Sequence, residues 1–438
     1  MSKQRYWSIT VAIAGFLFGF DTVVISGANL PIKELWNTSP WFHGMFIMSM
    51  ALWGTVVGAL LGGIPSQVLG RKNTLIWIGV LFSLSAIGSA LAWDPYSFSF
   101  FRFIGGLGVG ASSVAAPTYI SEISNKNNRG RLVILYQFMI VFGIFIAFFS
   151  NYLFQGVGGA NDWRWMMGIE ALPAIIYTLM VLGVPKSPRW LITKKNDLPG
   201  ARYVLGLMEV EDVENEVRVI QEAAAYTSER VDFKKYAKPL TLAFVLAFFN
   251  QLSGINFVLY CAAAILGNAG MSSEQSLFNS ILIGGINLVF TFVGMFLIDR
   301  VGRKRLMIVG SLGYIIGLSM VAFAFYTGAG STFLMVFLLL FIAAHAVGQG
   351  AVIWVFISEI FPTSVRAYGQ AWGSGTHWVF AAIITLIAAP VQAWVGPNPW
   401  TIFAFLAGMM VLQLIWVLVW MPETKGVSLE ELSRQLIK

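Results

Sequence analysis

The stretch WSITVAIAGFLFGFDTVVISGAN, residues 7–29, decides what kind of chain this is. It runs for about 23 residues with a single charged side chain, Asp21. A helix needs about 20 mostly apolar residues to cross the hydrocarbon core of a bilayer. The run is longer than the core of a secretory signal, and no small-residue cleavage site follows it. It reads as a retained membrane span.

Working outward, eleven further blocks of this kind follow, near 42–64, 74–93, 98–121, 132–155, 166–184, 238–269, 276–298, 306–327, 332–357, 369–392 and 399–420. Barrel strands would appear as alternating segments of about 10 residues, and none of the blocks alternates in that way. The bulk composition agrees: 57% of the 438 residues are hydrophobic, 11% are charged, and the mean hydropathy is +0.73. Soluble domains carry about 25% charged residues, so a water-soluble helical globule is excluded for want of charged surface. The sequence predicts an all-α membrane protein of twelve transmembrane helices.

The net charge of +7 follows topology rather than forming a nucleic-acid stripe. Lys3, Arg5, Arg71, Lys72, Lys126, Arg129, Arg131, Lys186, Arg189, Lys194, Arg300, Arg303, Lys304, Arg305 and Arg366 fall in the N-terminus and in alternate loops. The opposite loops hold little beyond Lys33 and Arg164. Basic loops stay in the cytoplasm, which places both termini there. The long charged stretch 185–237 contains ENEVRVIQEAAAY, whose charges fall on one side of a helix. The expected organisation is therefore two six-helix bundles, 1–184 and 238–421, joined by a short cytoplasmic helical linker, 185–237, with a tail at 422–438. The single cysteine, Cys261, can form no intrachain disulfide.

The two halves echo each other. Gly70-Arg71-Lys72 follows the second span and Gly302-Arg303-Lys304 follows the eighth. Ser121-Glu122-Ile123 ends the fourth span and Ser358-Glu359-Ile360 ends the tenth, with Arg129 and Arg366 each seven residues beyond the glutamate. Parallel six-span repeats describe a transporter that rocks about a central site. Topology alone accounts for the basic residues, but not for two acids at matched positions on the membrane edge, where acids are usually paired. The expectation is a cytoplasmic gate made by Arg71, Glu122 and Arg129 with Arg303, Glu359 and Arg366.

GFDTVVISG at 19–27, RFIGGLGVG at 102–110, YISEISNKNNRGRL at 119–132 and PKSPRW at 185–190 are joined by NQLSGIN at 250–256, DRVGRK at 299–304, SEIFPTSVR at 358–366 and PETKGVSLEEL at 422–432. In this order and in these loops, they make the chain resemble the sugar porter family of the major facilitator superfamily over nearly its whole length. Within that family it looks like the bacterial proton-coupled pentose and hexose (xylose-type) symporters. The resemblance implies the major facilitator fold and alternating access to a central sugar site. Two departures stand out: Gln67 occupies a place where the superfamily often has Asp, and Lys186 one where the family usually has Glu.

Three charged residues fall within spans: Asp21, Arg102 and Glu170. Each costs about 2.5–3.5 kcal/mol at a helix centre on insertion scales. A structural ion pair explains Arg102 with one acid, not with two. Burial favours a neutral carboxyl and a neighbouring arginine an ionised one, so the opposed effects suit a proton switch in which Arg102 passes between Asp21 and Glu170. The resemblance implies the same, since proton-coupled members carry Asp in this motif of the first span.

A neutral sugar needs donors and acceptors together, which amides supply, and flat rings for its C–H faces. The family's sugar-contacting positions map onto Gln137, Asn250, Gln251, Asn256, Tyr260, Asn287, Trp354 and Trp378, with Asn250 replacing a common Gln. For any one amide, bonding between spans, worth about 0.6–2 kcal/mol, is the competing explanation. His377 stands where relatives have an amide, and His345 where they have an aromatic. Gln349 lies nearby, and Ala351 replaces a common Pro. These changes are expected to shift sugar preference.

No P-loop, metal-ligand spacing or nucleophile–base constellation is present in the sequence, and GLGVG at 106–110 lies inside an apolar span, where small residues let helices approach. The expectation is a carrier rather than an enzyme, with no cofactor and no metal. Its expected partners are a small neutral sugar, protons and membrane lipid, with no nucleic acid, and its expected state is a monomer. The main alternative is a facilitative sugar uniporter. A non-transporting sugar sensor is disfavoured by the roughly 17 residues that follow Pro422, and the short tails suit a bacterial inner (cell) membrane.

Overall fold

A computed structural model of the chain describes residues 3–124, 129–225, 234–362, 365–396, 398–427 and 429–436. Among the described residues all regular structure is helical. Twelve helices among the described residues are long and apolar enough to cross a membrane. Spans 1 to 6 are Lys3–Trp36, Met50–Val68, Arg71–Ala90, Pro95–Ile123, Leu132–Phe154 and Gly159–Leu182. Spans 7 to 12 are Ala237–Tyr260, Ser273–Val301, Arg303–Thr327, Ser331–Glu359, Tyr368–Val395 and Trp400–Val419. Between spans 6 and 7 lie the amphipathic helices Leu198–Leu207 and Val213–Ala225, whose Val204, Leu205, Val217 and Ile220 are buried.

The chain forms two compact units. The first comprises Met1–Thr22, Met50–Ile144 and Arg164–Ser228. Its spans 2 and 4 meet backbone to backbone: a Cβ added at Gly106 would stand 1.9 Å from the Ala51 carbonyl oxygen, and one at Gly110 2.3 Å from that of Thr55. Lipid offers no hydrophobic force to drive helices together, so small residues that permit close packing supply the attraction. Spans 1 and 5 cross in the same way, with Gly19 against Ile140 and Gly143 against Phe16.

The second unit comprises Val23–Ser49, Phe145–Trp163 and Glu229–Lys438. Here Gly310 of span 9 and Gly348 of span 10 face each other, a Cβ on either standing 2.8 Å from the Cα of the other. The helical turn His43–Met48 ahead of span 2 packs on span 11, where Gly44 abuts the Leu386 carbonyl. His43 beside it is buried, held by Asn29 Oδ1 at 2.7 Å and Thr38 Oγ1 at 2.9 Å.

Several spans are interrupted. Span 6 breaks at Ile169–Glu170 and span 7 at Ser253–Gly254, and Cys261 parts the end of span 7 from the short helix Ala262–Asn268. Span 10 carries a π-helical turn at Ala346–Gly350. Irregular backbone at membrane depth survives only where protein buries it or it lines a cavity, and π-turns gather at functional sites. The interruptions adjoin Glu170, the Asn250–Asn256 segment and the His345–Gln349 segment.

Candidate functional site

Three groups of side chains stand out. The first lies in the first unit, on spans 1, 4 and 6. Asp21, Arg102 and Glu170 are each 1% exposed. Arg102 donates from Nη1 to Asp21 Oδ1 at 2.5 Å and from Nη2 to the Asp21 carbonyl at 2.9 Å. Gly105 lets span 3 pack closely on span 4 beside this pair: a Cβ there would stand 2.3 Å from Ser85 Oγ and 3.2 Å from Asp21 Oδ1. The Glu170 carboxyl is within hydrogen-bonding reach of Asp21 and electrostatic reach of Arg102. Like charges on neighbouring buried carboxyls repel, so the two acids compete for the single guanidinium. Among the described residues Arg102 Nε has no acceptor and Glu170 Oε1 no donor. A buried unmet donor and a buried unmet acceptor on neighbouring groups are what an exchange of partners would satisfy.

The second group lies in the second unit, on spans 7, 10 and 11. Gln251 Nε2 donates to Asn250 Oδ1 at 3.1 Å, and Asn256 Nδ2 donates to Gln251 Oε1 at 2.8 Å. The same Gln251 nitrogen lies 3.1 Å from both ring nitrogens of His377. The His377 ring is flanked by Trp354, at 5.0 Å, and Trp378, at 4.7 Å between ring centres. The break at Gly254, with φ of +81°, turns the chain so that Asn250, Gln251 and Asn256 come together. These amides and rings form one preorganised polar patch beside tilted and edge-on aromatic rings. His345 interacts electrostatically with His377, and its Nδ1 lies 2.5 Å from the Tyr314 hydroxyl.

Other sequence candidates are placed elsewhere. Asn287 on span 8 and Tyr260 on span 7 are buried in the same unit. Gln137, half-buried on span 5, belongs to the first unit. Gln349 is not brought to the amide patch. It donates to Gln413 Oε1 of span 12, and Gln413 donates on to Ser311 Oγ of span 9 at 2.8 Å. Gln349 lies in the π-helical turn Ala346–Gly350.

The third group is a pair of ion clusters, one in each unit. In the first, Arg71 donates to Glu122 Oε1 from Nε at 3.1 Å and from Nη2 at 2.8 Å, and Ser187 Oγ donates to Glu122 Oε2 at 2.5 Å. In the second, Arg303 grips Glu359 with contacts of 3.2 and 2.8 Å, Asp299 sits 3.0 Å away, and Thr424 Oγ1 donates to Glu359 Oε2 at 2.6 Å. Gly70 and Gly302, at φ of +87° and +101°, make the sharp entries into spans 3 and 9 that aim each arginine. Glu423 accepts the backbone N–H groups of Arg303, Lys304, Thr424 and Lys425. Burial pushes its carboxyl up, but these four donors outweigh burial and hold it below the usual range. Arg366 Nε donates to the Phe361 carbonyl at 3.4 Å, and the Arg129 side chain lies outside the described residues. Ser187, Thr424 and Glu423 escaped the sequence reading. The signal was there, since PKS at 185–187 and PET at 422–424 stand at the same separation as the two glutamates they serve.

Twelve spans, a buried ion triad and a polar–aromatic patch define a multi-pass membrane transporter. The Sugar (and other) transporter family profile matches residues 7–436, and the chain belongs to that family, the sugar porters of the major facilitator superfamily. It is 32% identical to the D-xylose-proton symporter of Escherichia coli (strain K12), over 99% of this chain and 96% of that one. It is 33% identical to the arabinose-proton symporter of Bacillus subtilis, over 98% and 94%. It is 32% identical to the glucose transport protein of Synechocystis, over 96% and 95%. The partially occluded inward open structure of the xylose transporter XylE from E. coli superposes with a TM-score of 0.86 at 29% identity, covering 97% of this chain and 99% of that one.

Proposed function

We propose that the protein is a proton-coupled symporter of a monosaccharide, a hexose or a pentose, working by alternating access in the cell membrane with both termini in the cytoplasm. The observation that carries this reading is the Asp21–Arg102–Glu170 triad, two buried acids sharing one base. With a proton on Glu170, ionised Asp21 holds Arg102. When Asp21 takes a proton from the outward-facing side it releases the guanidinium, and Glu170 gives its own proton to the cytoplasmic side and receives the guanidinium. The charge balance of the interior is kept while a proton changes place. The names of the xylose and arabinose relatives as proton symporters support coupling, and the second unit's amides and tryptophans suit an uncharged polyol.

The energetics are adequate. One charge crossing the membrane is worth about 2.3 kcal/mol per 100 mV, enough for roughly 50-fold accumulation of a neutral solute, since about 1.4 kcal/mol is tenfold. A facilitative uniporter, in which the closed Arg102–Asp21 pair serves structure alone, is the second reading. Proteoliposomes with an inward proton gradient decide between them. Symport concentrates labelled sugar above the external level and loses that gradient to a protonophore. Uniport only equilibrates it.

A further inference from the structure

We propose that Tyr314, which the amide patch does not include, is a positioning residue that fixes the tautomer of His345 so that its Nε2–H is presented to a sugar hydroxyl as a hydrogen-bond donor. This rests on the sugar-site reading above and deepens it. Tyr314 is fully buried on span 9. It is carried to span 10 by the close Gly310–Gly348 contact one turn away, and its hydroxyl lies 2.5 Å from His345 Nδ1.

The direction of that hydrogen bond follows from the neighbours. Ser253 gives its own proton to the Asn250 carbonyl at 2.6 Å and accepts the Ile255 N–H at 3.3 Å, so it has no proton for the tyrosine. The hydrogen-bond contact of the fully buried tyrosine hydroxyl is the imidazole Nδ1 at 2.5 Å, and donating there keeps a buried O–H from going unmet. A neutral imidazole carries one N–H and one lone pair, so a donor on Nδ1 places the proton on Nε2.

Nε2 meets no hydrogen-bond partner among the described residues, and His345 is half-buried. Gly350 leaves room beside it: a Cβ there would stand 3.4 Å from Nε2. Gly350 and Trp354 lie four residues apart on one helix face, and Trp354 packs on His377. The open side of Nε2 is thus the side of the polar–aromatic patch. A ligand complementary to it is a monosaccharide with a hydroxyl oxygen at that point.

Three histidines in the chain make the test practicable. In 15N-histidine-labelled protein, with resonances assigned by single substitution, His345 is expected as the Nε2–H tautomer. In Tyr314→Phe it should become a mixture. Among monodeoxy analogues of the transported sugar, one should bind about 5–10-fold more weakly than the parent, the loss of one ordinary hydrogen bond. His345→Phe should erase that discrimination and leave the other analogues unchanged. An Nδ1–H tautomer in the wild type overturns the proposal, as does full discrimination surviving in His345→Phe. If no sugar binds at all, the sugar reading fails, while the 15N spectrum of the unliganded protein still decides the role of Tyr314. Should Tyr314→Phe fail to fold, the wild-type spectrum decides it alone.

Discussion

Replacing Asp21 by Asn separates the proton-switch account from a static ion pair. In the structure the carboxylate takes two roles: it balances a guanidinium that is 1% exposed, and it competes with Glu170 for that guanidinium. Removing one partner of a buried pair leaves an uncompensated charge and costs about 3–5 kcal/mol. If Glu170 ionises and takes Arg102, the loss shrinks to that of one hydrogen bond to a charged group, about 1.5–3 kcal/mol. Glu170→Gln alone replaces one carboxyl oxygen by an NH2 that can still donate to Asp21, and should cost no more than one ordinary hydrogen bond, about 1 kcal/mol. The double variant has no acid left for Arg102 and should show the whole 3–5 kcal/mol, more than its two single variants summed. Chemical unfolding in mixed micelles reads these differences, and a non-additivity of about 1 kcal/mol is well resolved by a double-mutant cycle. Transport supplies the second readout. Asp21→Asn should lose accumulation and keep sugar exchange. Strict additivity together with continued accumulation in Asp21→Asn would refute the exchange of Arg102 between acids.

Other consequences are as direct. His377→Gln restores an amide at the centre of the patch and should change the ratio of affinities for two monosaccharides by about 5–10-fold, measured by competition for uptake. Gly106→Leu drives a side chain into the Ala51 carbonyl. It should lower the unfolding temperature by an amount equivalent to at least about 1–3 kcal/mol, whereas Gly267→Ala, with nothing within 4 Å, should be nearly silent. Glu423 is held below the usual carboxylate range, so its contribution is present above the unfolded value and is lost as pH falls through the lower, folded one. Hydrogen exchange at the start of span 9 should therefore rise in acid in the wild type, and already be raised at neutral pH in Glu423→Gln.

Hydropathy made the twelve spans legible, and the repeat of Gly-Arg-Lys and Ser-Glu-Ile pointed to the two arginine–glutamate clusters. Charge alone singled out Asp21, Arg102 and Glu170, because a charge in an apolar run is costly enough to need a partner, and the three do meet. The rotation of each helix was not legible. In water an apolar stripe tells the inside of a helix from its outside, but in lipid both faces are apolar, as in span 10. There Gln349, in a π-turn, bonds to Gln413 rather than to the amide patch, and no residue pattern announces it. Tyr314 was passed over for the same reason: its partner is set by the glycine contact between spans 9 and 10, which is a property of packing. Ser187, Thr424 and Glu423 lie outside the spans, in segments where motif letters are visible but the helix ends they cap are not.

Proton movement driven by sugar alone tests the central claim most directly. In proteoliposomes with no imposed gradient, external pH and labelled sugar are followed together after sugar is added outside. Coupling through the Asp21–Arg102–Glu170 triad predicts external alkalinisation in step with sugar entry, one proton per sugar, absent in Asp21→Asn. Sugar entry with no change in pH in the wild type would contradict it.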